Sequence, residues 1–365
     1  PMAAARAAAA LLLASLGRAA PPAHTEEELE QLWDRFQRQF GRSYSNGEEA
    51  PRFAAFKSNV ARAYELNLDQ GIDCTDLFED AGCVFGVTKF SDLSEEEFAR
   101  TRLRYRRPSL PRAHPVLSLD AASMGHNASD VDWRTKGAVT PVKDQGECGS
   151  CWAFSSASEI ESAAFMATGK LMELSTQQII SCDKEDSGCD GGDTPTAYEY
   201  VQKAGGLDLA SDYPDKSHIK GKTGKCQWDR RHRRPAAEVT GWSYAVKPCD
   251  EGGCHHQDER GLMAAVAKHG PVSICVSSGP GWQFYKRGVF TREQCTGKAE
   301  DQDHCVQLVG FNTSAPTPYW IVRNSWNTDW GVDGYILIEI GKNRCGVADE
   351  ATIAHATTAE ELLVV

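Results

Sequence analysis

The sequence has no excess of positive charge: 39 Lys and Arg stand against 51 Asp and Glu, which leaves a formal net charge of -12 at pH 7. Nucleic-acid phosphates would repel such a chain overall, so DNA or RNA binding is disfavoured. The chain also lacks the cationic excess that adhesion to anionic membranes needs. After residue 20, no apolar run is long enough to cross a bilayer, so we expect no membrane span.

The composition is otherwise that of a globular protein. The 365 residues are 41% hydrophobic and 25% charged, which argues against a disordered, collagenous or coiled-coil chain. This length allows two or three compact units. The sequence shows no internal repeat and no long low-complexity tract.

Cysteine is abundant, with 13 residues, which is typical of an oxidising compartment, and the odd number leaves at least one thiol unpaired. Residues 1–20 contain Arg6, the apolar run Leu11–Leu13 and small residues at the end. They predict a secretory signal peptide rather than an Ala-rich helix without a polar face. We therefore expect the protein in the secretory pathway, bound for a lysosome, a vacuole or the cell exterior. Asn127 and Asn312 each begin an N-glycosylation tripeptide.

Two regions of different character follow. Residues 25 to about 100 are helix-prone, with one helix starting near Thr25 and a second from Glu48 to about Asn67. Residues 101–128, rich in Arg and Pro, predict a protease-sensitive linker. The later pattern predicts helices from Ser150 to Thr168 and at 175–181, then strands at 271–274, 306–311, 319–322 and 335–340. A helical half followed by a β-rich half predicts an α+β fold with a cleft between the halves.

A candidate nucleophile and the residues that could assist it occur in three places along the chain. Cys151 would begin a helix, whose positive end favours a thiolate. The imidazole of His304 can stabilise that thiolate and later protonate a leaving amine. Asn324 can orient the imidazole without adding charge, and Gln145 can join the Cys151 backbone N–H in binding an oxyanion.

Each of these motifs, taken alone, also has a non-catalytic interpretation. A Cys-x-x-Cys pattern alone is more often a disulfide, a metal site or a redox element, and an isolated Asp-His pair is usually structural. Their joint occurrence with Asn324-Ser325-Trp326, in this order along the chain, favours a catalytic thiol.

The chain resembles a papain-family cysteine protease of the cathepsin L-like kind, written as a full precursor. The sequence from Cys148 to Trp152 is a local signature of these enzymes, and the matches continue at 131–134, 137–143, 188–192 and 330–335. The resemblance implies an α+β fold with a helical left domain and a β-barrel-like right domain, preceded by a helical propeptide. It also implies hydrolysis of protein and peptide substrates through an acyl-thioester, without cofactor or metal.

The resemblance assigns roles to individual residues. Cys151 would be the nucleophile, His304 the base and acid, Asn324 the group that orients His304, and Gln145 the oxyanion donor. Trp326 would shield the His–Asn hydrogen bond from water. The implied residues of the substrate-binding cleft are Gly192, Asp193, Thr194, Cys275, Asp303, Cys305, Trp326 and Glu350.

The first third of the chain resembles the inhibitory propeptide of the same family. One motif reads Glu48, Arg52, Phe56, Asn59, Ala63 and Asn67, with Ala63 where a larger aliphatic residue is usual, and a second motif spans Gly86–Asp92. The resemblance implies a signal peptide at 1–20, a propeptide at 25–100, a linker at 101–128 and a peptidase domain at 129–365. In the family the propeptide crosses the cleft in the reverse direction and blocks it. We expect acid to loosen it by protonating carboxylates such as Glu48 or Asp92.

Disulfide pairs are likewise implied by the resemblance: Cys148–Cys189, Cys182–Cys226 and Cys295–Cys345, with Cys151 free. We expect local disulfides at Cys74–Cys83 and Cys249–Cys254, which lie in insertions. The alternative, half a zinc site at Cys254-His255-His256, is disfavoured because no further ligand pair lies nearby. We expect Cys275 and Cys305 to be free thiols, since a bridge would constrain the strand that carries His304.

The pocket for the substrate's second residue before the cut, the S2 pocket, carries unusual residues. Asp193 and Thr194 stand where the family often has an aromatic or aliphatic residue, and Glu350 lies at the far end. These residues predict a mixed preference in which Arg is accepted beside aliphatic side chains, more readily when Glu350 is ionised. The alternative is that Glu350 points to solvent, as most glutamates do.

Three other functions fit the sequence less well. A binding protein with an inactive protease fold would lack a catalytic residue, yet all are present. A zinc module at 249–256 and an exopeptidase are the remaining alternatives, and no paired-His loop occurs where the exopeptidase would need one. The basic run 230–234 is expected to be a solvated loop. As partners we expect the chain's own propeptide and cystatin-like inhibitors, and we expect a monomer.

Overall fold

The computed structural model describes residues 24–108, 112–118, 130–229, 234–250, 253–254, 257–291, 295 and 298–358. The expected signal peptide and Asn127 lie outside these residues, as do His255, His256 and most of the basic run. The chain forms two compact units. One extends to Ser94 and includes Gln283–Gly288, and the other comprises Glu95–Trp282 with Val289 onward.

The smaller unit is built on two helices, α1 (Glu26–Phe40) and α2 (Glu49–Asp69). Thr25 caps α1 as expected, since its hydroxyl accepts from the Glu28 N–H while the Glu28 carboxylate accepts from the Thr25 N–H, a reciprocal arrangement that satisfies two otherwise unpaired donors. Trp33, Phe36 and Phe56 pack at ring-centroid distances between 5.1 and 5.3 Å. Buried aromatic rings of two helices therefore form the core of this unit.

The second propeptide motif pairs with Gln283–Gly288 inside the same unit. The Gly86 N–H donates to the Phe284 carbonyl at 2.8 Å, and the Thr88 hydroxyl donates to the Gln283 carbonyl at 2.7 Å. The Gln283 side-chain amide donates to the Phe90 carbonyl at 2.9 Å. These bonds satisfy buried backbone groups that would otherwise be costly.

The larger unit combines helices with one sheet. Its helices are α3 (Glu95–Arg102), α4 (Cys151–Thr168), α5 (Thr176–Cys182), α6 (Thr194–Ala204), α7 (Ser217–Lys220) and α8 (Glu259–His269). Its strands are β1 (Val131–Asp132), β2 (Ala237–Tyr244), β3 (Val272–Val276), β4 (Val289–Phe290), β5 (His304–Asn312), β6 (Tyr319–Arg323), β7 (Tyr335–Glu339) and β8 (Glu350–Thr358). The strands run in the order β2-β8-β3-β5-β6-β7-β4, with β1 paired to β5.

Helix α4 is the central helix of this unit. It is buried along most of its length and packs against β8 and β5. The helix ends where expected, because Gly169 adopts φ 74° and its N–H caps the Phe165 carbonyl, a left-handed conformation that glycine adopts without strain. Among the described residues, no helix has the length and apolar character to span a membrane.

Six disulfides link 12 of the 13 cysteines, and Cys151 alone is free. Five of the pairs are those expected: Cys74–Cys83, Cys148–Cys189, Cys182–Cys226, Cys249–Cys254 and Cys295–Cys345. The Cys249–Cys254 bond removes both thiolates that the zinc alternative needed.

The expectation that Cys275 and Cys305 are free thiols was wrong, because the two form a disulfide. They lie directly opposite each other in the antiparallel β3–β5 ladder, with Cα atoms 4.0 Å apart. Strand pairing places directly opposed residues close together. The bridge therefore joins two residues that the β3–β5 register already brings opposite each other.

Candidate active site

The first turn of α4 places Cys151 at the start of the central helix. Ser150 is the N-cap residue, and the Gly149 N–H donates to the Cys189 carbonyl at 3.0 Å. The Cys148–Cys189 disulfide holds the same loop. A thiol at this position faces the positive end of the helix dipole, which stabilises its anion.

His304 and Asn324 come from neighbouring antiparallel strands. His304 begins β5, and Asn324 directly follows the last residue of β6. The His304 Nε2 and the Asn324 Oδ1 are 2.8 Å apart, and both side chains are buried. With Nε2 engaged, Nδ1 remains without a hydrogen-bond partner among the described residues. The ring is thus oriented by the amide through one nitrogen, while the other is left for chemistry.

Two tryptophans enclose the His–Asn pair. The ring of Trp326 stacks on His304 with centroids 4.8 Å apart, and the edge of Trp282 meets the same imidazole at 5.7 Å. Both indoles are fully buried. Because water is kept from the His–Asn hydrogen bond, the bond is stronger than it would be in solvent. The sequence analysis identified Trp326 but missed Trp282, which no local motif marks.

Gln145 lies in the same group through a chain of hydrogen bonds. Its Oε1 accepts from the Ser325 hydroxyl at 2.7 Å and from the Trp326 indole N–H at 3.0 Å. Two donors on the oxygen fix which way the amide points, so its NH₂ group must face the other side. That nitrogen donates to the carbonyls of Cys148 at 3.0 Å and Arg102 at 3.2 Å.

Residues 95–108 and 112–118, here called the covering segment, lie over these side chains. Tyr105 pairs with Gly192 in a parallel bridge, its N–H donates to the Asp303 carbonyl at 2.9 Å, and the Arg106 N–H donates to the Gly192 carbonyl at 3.0 Å. A side chain could not replace the hydrogen of Gly192, because a Cβ there would lie 2.6 Å from the Trp152 ring. Tyr105 and Cys151 are both buried in one apolar cluster with the Cys275–Cys305 pair.

Burial in the covered form shifts the pKa values of Cys151 and His304 in opposite directions. Burial raises the pKa of the Cys151 thiol to about 11 and lowers the pKa of His304 to about 4. Between those values both groups are neutral, because the low-dielectric surroundings disfavour either charge. The thiolate–imidazolium pair expected from the sequence is therefore not the favoured state of this covered form.

The expected S2 residues fall on adjacent strands and on the loop before α6. Glu350 begins β8 and lies opposite Cys275 of β3, whose other neighbour is Cys305 of β5. Glu350 is 2% exposed, so the alternative that it points to solvent is wrong, and Asp193 is 4% exposed. The expected cleft residues on three strands are thus brought together by sheet register.

Arginines of the covering segment neutralise these two acids. The Arg107 Nε lies 3.4 Å from Glu350, and the Arg112 Nε lies 3.9 Å from Asp193. Burial raises the pKa of Glu350 and also that of Asp193, where the nearby charge of Glu350 adds to the effect. Sequence analysis identified both acids but not their partners, although the basic linker composition was the available signal.

Comparisons with known proteins agree with this arrangement. Residues 127–355 match the family described as "Papain family cysteine protease", and residues 33–98 match the "Cathepsin propeptide inhibitor domain". Cysteine proteinase 1 of Zea mays is 39% identical over 355 residues, which cover 89% of this chain and 86% of that protein. Cysteine proteinase 1 of Dictyostelium discoideum is 35% identical, with 88% and 91% covered.

Solved precursor structures share the fold. Digestive procathepsin L 3 of the Tenebrio molitor larval midgut superimposes with a TM-score of 0.72 at 30% identity, covering 89% of this chain and 98% of that chain. The recombinant stem bromelain precursor gives a TM-score of 0.74 at 29% identity, with the same coverage. Cys151 is a buried free cysteine at a helix start, and it clusters with Cys305, the residue that follows the His304 of the His–Asn pair. With both family matches in the expected order as well, the chain belongs to the papain family of cysteine peptidases and carries that family's inhibitory propeptide.

Proposed function

We propose that Cys151 is the nucleophile of an endopeptidase made as an inactive zymogen. Its thiolate attacks the scissile carbonyl carbon, the peptide C–N bond breaks, and the amine leaves with a proton from His304. Water, deprotonated by His304, then cleaves the thioester and releases the acid product. The observation that carries this proposal is the single free cysteine at the start of α4.

Asn324 and Gln145 serve this reaction without exchanging protons. The 2.8 Å contact between Asn324 and His304 supports an orienting role, because it leaves Nδ1 for the thiol. The Gln145 amide now donates to the Arg102 carbonyl of the covering segment. A substrate carbonyl that took the place of this carbonyl would receive the same donor, which supports a role for Gln145 in binding the oxyanion.

Removal of the N-terminal part would make the site accessible. We take residues 1–20 as signal peptide, 25–100 as inhibitory propeptide, 101–128 as linker and 129–365 as the peptidase domain. Acid is proposed to loosen the propeptide. The Asp92 carboxylate lies 3.5 Å from Arg42, and hydrogen bonds from Ser45 lower the pKa of Glu48. Because that pKa is depressed, the contribution of Glu48 is present above its ordinary range and is lost only as pH falls through the lowered value.

Thiol labelling tests the class of enzyme. After acid activation, a thiol-directed epoxide should modify Cys151 alone, because the other cysteines are paired, and peptidase activity should fall in proportion to the label found by peptide mapping. Cys151→Ser should be inactive while retaining the melting temperature of the wild type. Activity that persists with Cys151 fully modified, or in the serine variant, would disprove the proposal.

The S2 pocket is proposed to accept Arg as well as aliphatic side chains. Two buried carboxylates, Glu350 and Asp193, are neutralised by arginines of the covering segment. Once that segment leaves, a substrate cation can take their place, whereas an uncompensated buried charge is unfavourable. Ionised Glu350 should favour Arg, so acceptance of Arg should rise with pH.

Matched peptides with Leu or Arg as the second residue before the cut test this preference. For the mature enzyme, the ratio of kcat/KM for Arg over Leu should rise with pH, and Glu350→Gln should lower it about tenfold, since a charge-assisted hydrogen bond is lost. Asp190→Asn, which removes an exposed carboxylate of the same loop region, is the control and should change little. Equal pH profiles for the two peptides, or no cleavage of the Arg peptide, would contradict this preference.

The cellular compartment of the protein is proposed only as a general class. Six disulfides fit an oxidising secretory compartment, and we propose a lysosome, a vacuole or the cell exterior as the destination. Glycans at Asn127 and Asn312, inhibition by cystatin-like proteins and a monomeric state remain part of the proposal. Peptide mapping before and after glycosidase treatment would show which asparagine carries a glycan.

A further inference from the structure

The C-terminal part of the covering segment extends the sheet at its edge. Strand β2 stands at one end of the strand order, and residues 112–118 pair with its last residue, Tyr244. The Tyr244 N–H donates to the Pro115 carbonyl and its carbonyl accepts from the Leu117 N–H, each at 2.9 Å, which makes a parallel bridge with Val116. An edge strand offers these groups to any extended chain.

The side chains of Arg112 and His114 also contact the larger unit directly. Arg112 donates from Nη1 to both carboxylate oxygens of Glu199, at 3.1 and 3.0 Å, and its backbone N–H donates to the Tyr244 hydroxyl at 3.1 Å. The His114 ring stacks on Trp242 with centroids 3.8 Å apart and planes 9° from parallel. The surface beneath thus combines an acid, an aromatic face and a backbone donor–acceptor pair.

Removing residues 112–118 leaves this surface without its partner. In the covered form the His114 ring covers one face of Trp242, and the Arg112 N–H occupies the Tyr244 hydroxyl, so departure of the segment leaves both without these partners. The carboxylates of Glu199 and Asp193 lose their common arginine at the same time. Aromatic rings rimmed by charge are typical of a peptide-binding surface.

We propose that Glu199, Trp242 and Tyr244 form an outer substrate-binding site that takes an arginine or lysine of the substrate chain, upstream of the S2 residue. This inference rests on the proposed function, since the site opens only when the N-terminal part is removed. Substrates run opposite to the covering segment in this family. Glu199 attracts a cation in either chain direction, and the Tyr244 N–H and C=O can pair with a chain running either way.

The position of the basic residue follows from chain length. Tyr105 pairs with Gly192, where the substrate's second residue before the cut would pair, and Arg112 lies seven residues further along. Seven extended residues span at most about 25 Å. The substrate cation should therefore lie between about the fourth and the ninth residue before the cut, beyond the reach of short peptides.

Two sets of fluorogenic peptides test the outer site on the mature enzyme. The long set fixes Leu as the second residue before the cut and moves one Arg through the fourth to ninth positions, with Gln elsewhere. The short peptide ends at the third residue. We expect kcat/KM to rise about fivefold at one or two adjacent positions, and the gain should vanish in Glu199→Gln while the short peptide is cleaved as before.

Glu185→Gln is the matched control. Glu185 is an exposed glutamate whose carboxylate lies 3.2 Å from Lys203, and Lys203 belongs to α6, the helix that also carries Glu199. It should retain the gain. As a second measurement, the synthetic peptide of residues 112–118 should inhibit cleavage of the long Arg peptide but not of the short one. A gain that persists in Glu199→Gln, no dependence on Arg position, or equal inhibition of both substrates would overturn the outer site while leaving the peptidase proposal intact. Failure to cleave even the short peptide would overturn both.

Discussion

At the scale of single residues, Gln145, the proposed oxyanion donor, shows how a side chain is oriented by bonds that the sequence does not reveal. Its position ahead of Cys151 suggested an oxyanion donor, but that sequence alone does not say which atom of the amide faces the cleft. The two donors on Oε1, Ser325 and Trp326, resolve this, because an oxygen that accepts twice from the interior leaves the NH₂ directed outward.

The isosteric substitution Gln145→Glu removes the NH₂ donor while keeping the shape of the side chain, so it distinguishes the effect of the donor from the effect of packing. A carboxylate keeps an acceptor for Ser325 and Trp326 but places an acceptor where the NH₂ group was. We expect kcat of the mature enzyme to fall about 100- to 1000-fold, as when a single oxyanion donor is lost, with KM changed much less. The melting temperature serves as the control for folding. A variant with unchanged kcat would show that Gln145 does not stabilise the transition state.

The error at this scale concerns strand register. Cys275 and Cys305 were expected to be free thiols, although they and Glu350 lie side by side on β3, β5 and β8. Residues 30 to 75 positions apart in sequence become neighbours only through strand register, and no local pattern sets that register across long connections. Pairing of distant cysteines likewise cannot be derived from the sequence alone.

At the scale of helices and strands, sequence patterns succeeded where local chemistry is strong. The start of α1 at the Thr25 cap and the end of α4 at Gly169 follow from capping and glycine conformations that act within a few residues. Strands β3, β5, β6 and β7 were predicted to within two residues at either end. Their apolar runs are typical of buried strands.

Other elements of the peptidase region were missed. Strand β2 contains Gly241 and alternates poorly in burial, and β8 is rich in Ala and Thr, so neither has a strong apolar pattern. Helices α6 and α8 begin near Pro195 and Asp258 and are only 11 residues long. Their stability comes from packing in the larger unit rather than from local propensity, which is why the sequence alone gave a weak signal.

The β3–β5 disulfide yields a prediction at this scale. Replacing both Cys275 and Cys305 by Ala removes a cross-link between residues 30 positions apart in sequence. Because the unfolded chain is then less constrained, the free energy of unfolding of the mature enzyme should fall by about 2–4 kcal/mol. Five residue pairs still hold the two strands, so His304 should keep its place. We expect kcat for a Leu peptide to stay within about tenfold of the wild type, because the ladder alone preserves register.

Chemical denaturation measures the stability change, and steady-state kinetics measures the activity. Cys74→Ala with Cys83→Ala, the pair of the smaller unit, is the control in the zymogen and should leave the kinetics of the processed enzyme unchanged. An activity loss above 100-fold without any loss of stability would contradict this interpretation of the β3–β5 bridge.

At the scale of the whole molecule, the covering segment maintains an inactive charge state as well as blocking access. The pKa values of Cys151 and His304, about 11 and about 4, mean that no ion pair forms at neutral pH while the segment is in place. Because the His304 pKa is depressed below 6.5, its neutral ring favours the closed form above about pH 6.5, and this contribution is lost as pH falls towards 4.

Asp303 contributes to the pH dependence of the closed form in the opposite direction to His304. Burial raises the pKa of Asp303 to about 6, so its protonation favours the buried state as pH falls. Its carboxylate, however, accepts two hydrogen bonds from Ser278 of the peptidase region itself. Removing the covering segment leaves those bonds in place, so Asp303 should respond less to opening than His304 does. Burial also raises the pKa of Glu350 and of Asp193, so their protonation favours the covered form in the same way as that of Asp303. Acid therefore opens the site through His304 only where the His304 contribution exceeds that of these carboxyl groups.

Pulse alkylation of Cys151 measures that opening. In zymogen exposed to a small alkylator in pulses too short for processing, the labelling rate should be compared with that of mature enzyme at the same pH, so that the ratio cancels the reactivity of the thiol itself. We expect a zymogen-to-mature ratio below about 0.01 at pH 7, where burial keeps the thiol neutral, and a steep rise between pH 6.5 and pH 4, the interval set by His304. Intact mass confirms that the labelled chain is still unprocessed. A ratio that stays constant or falls with acid would mean that protonation of His304 does not drive opening.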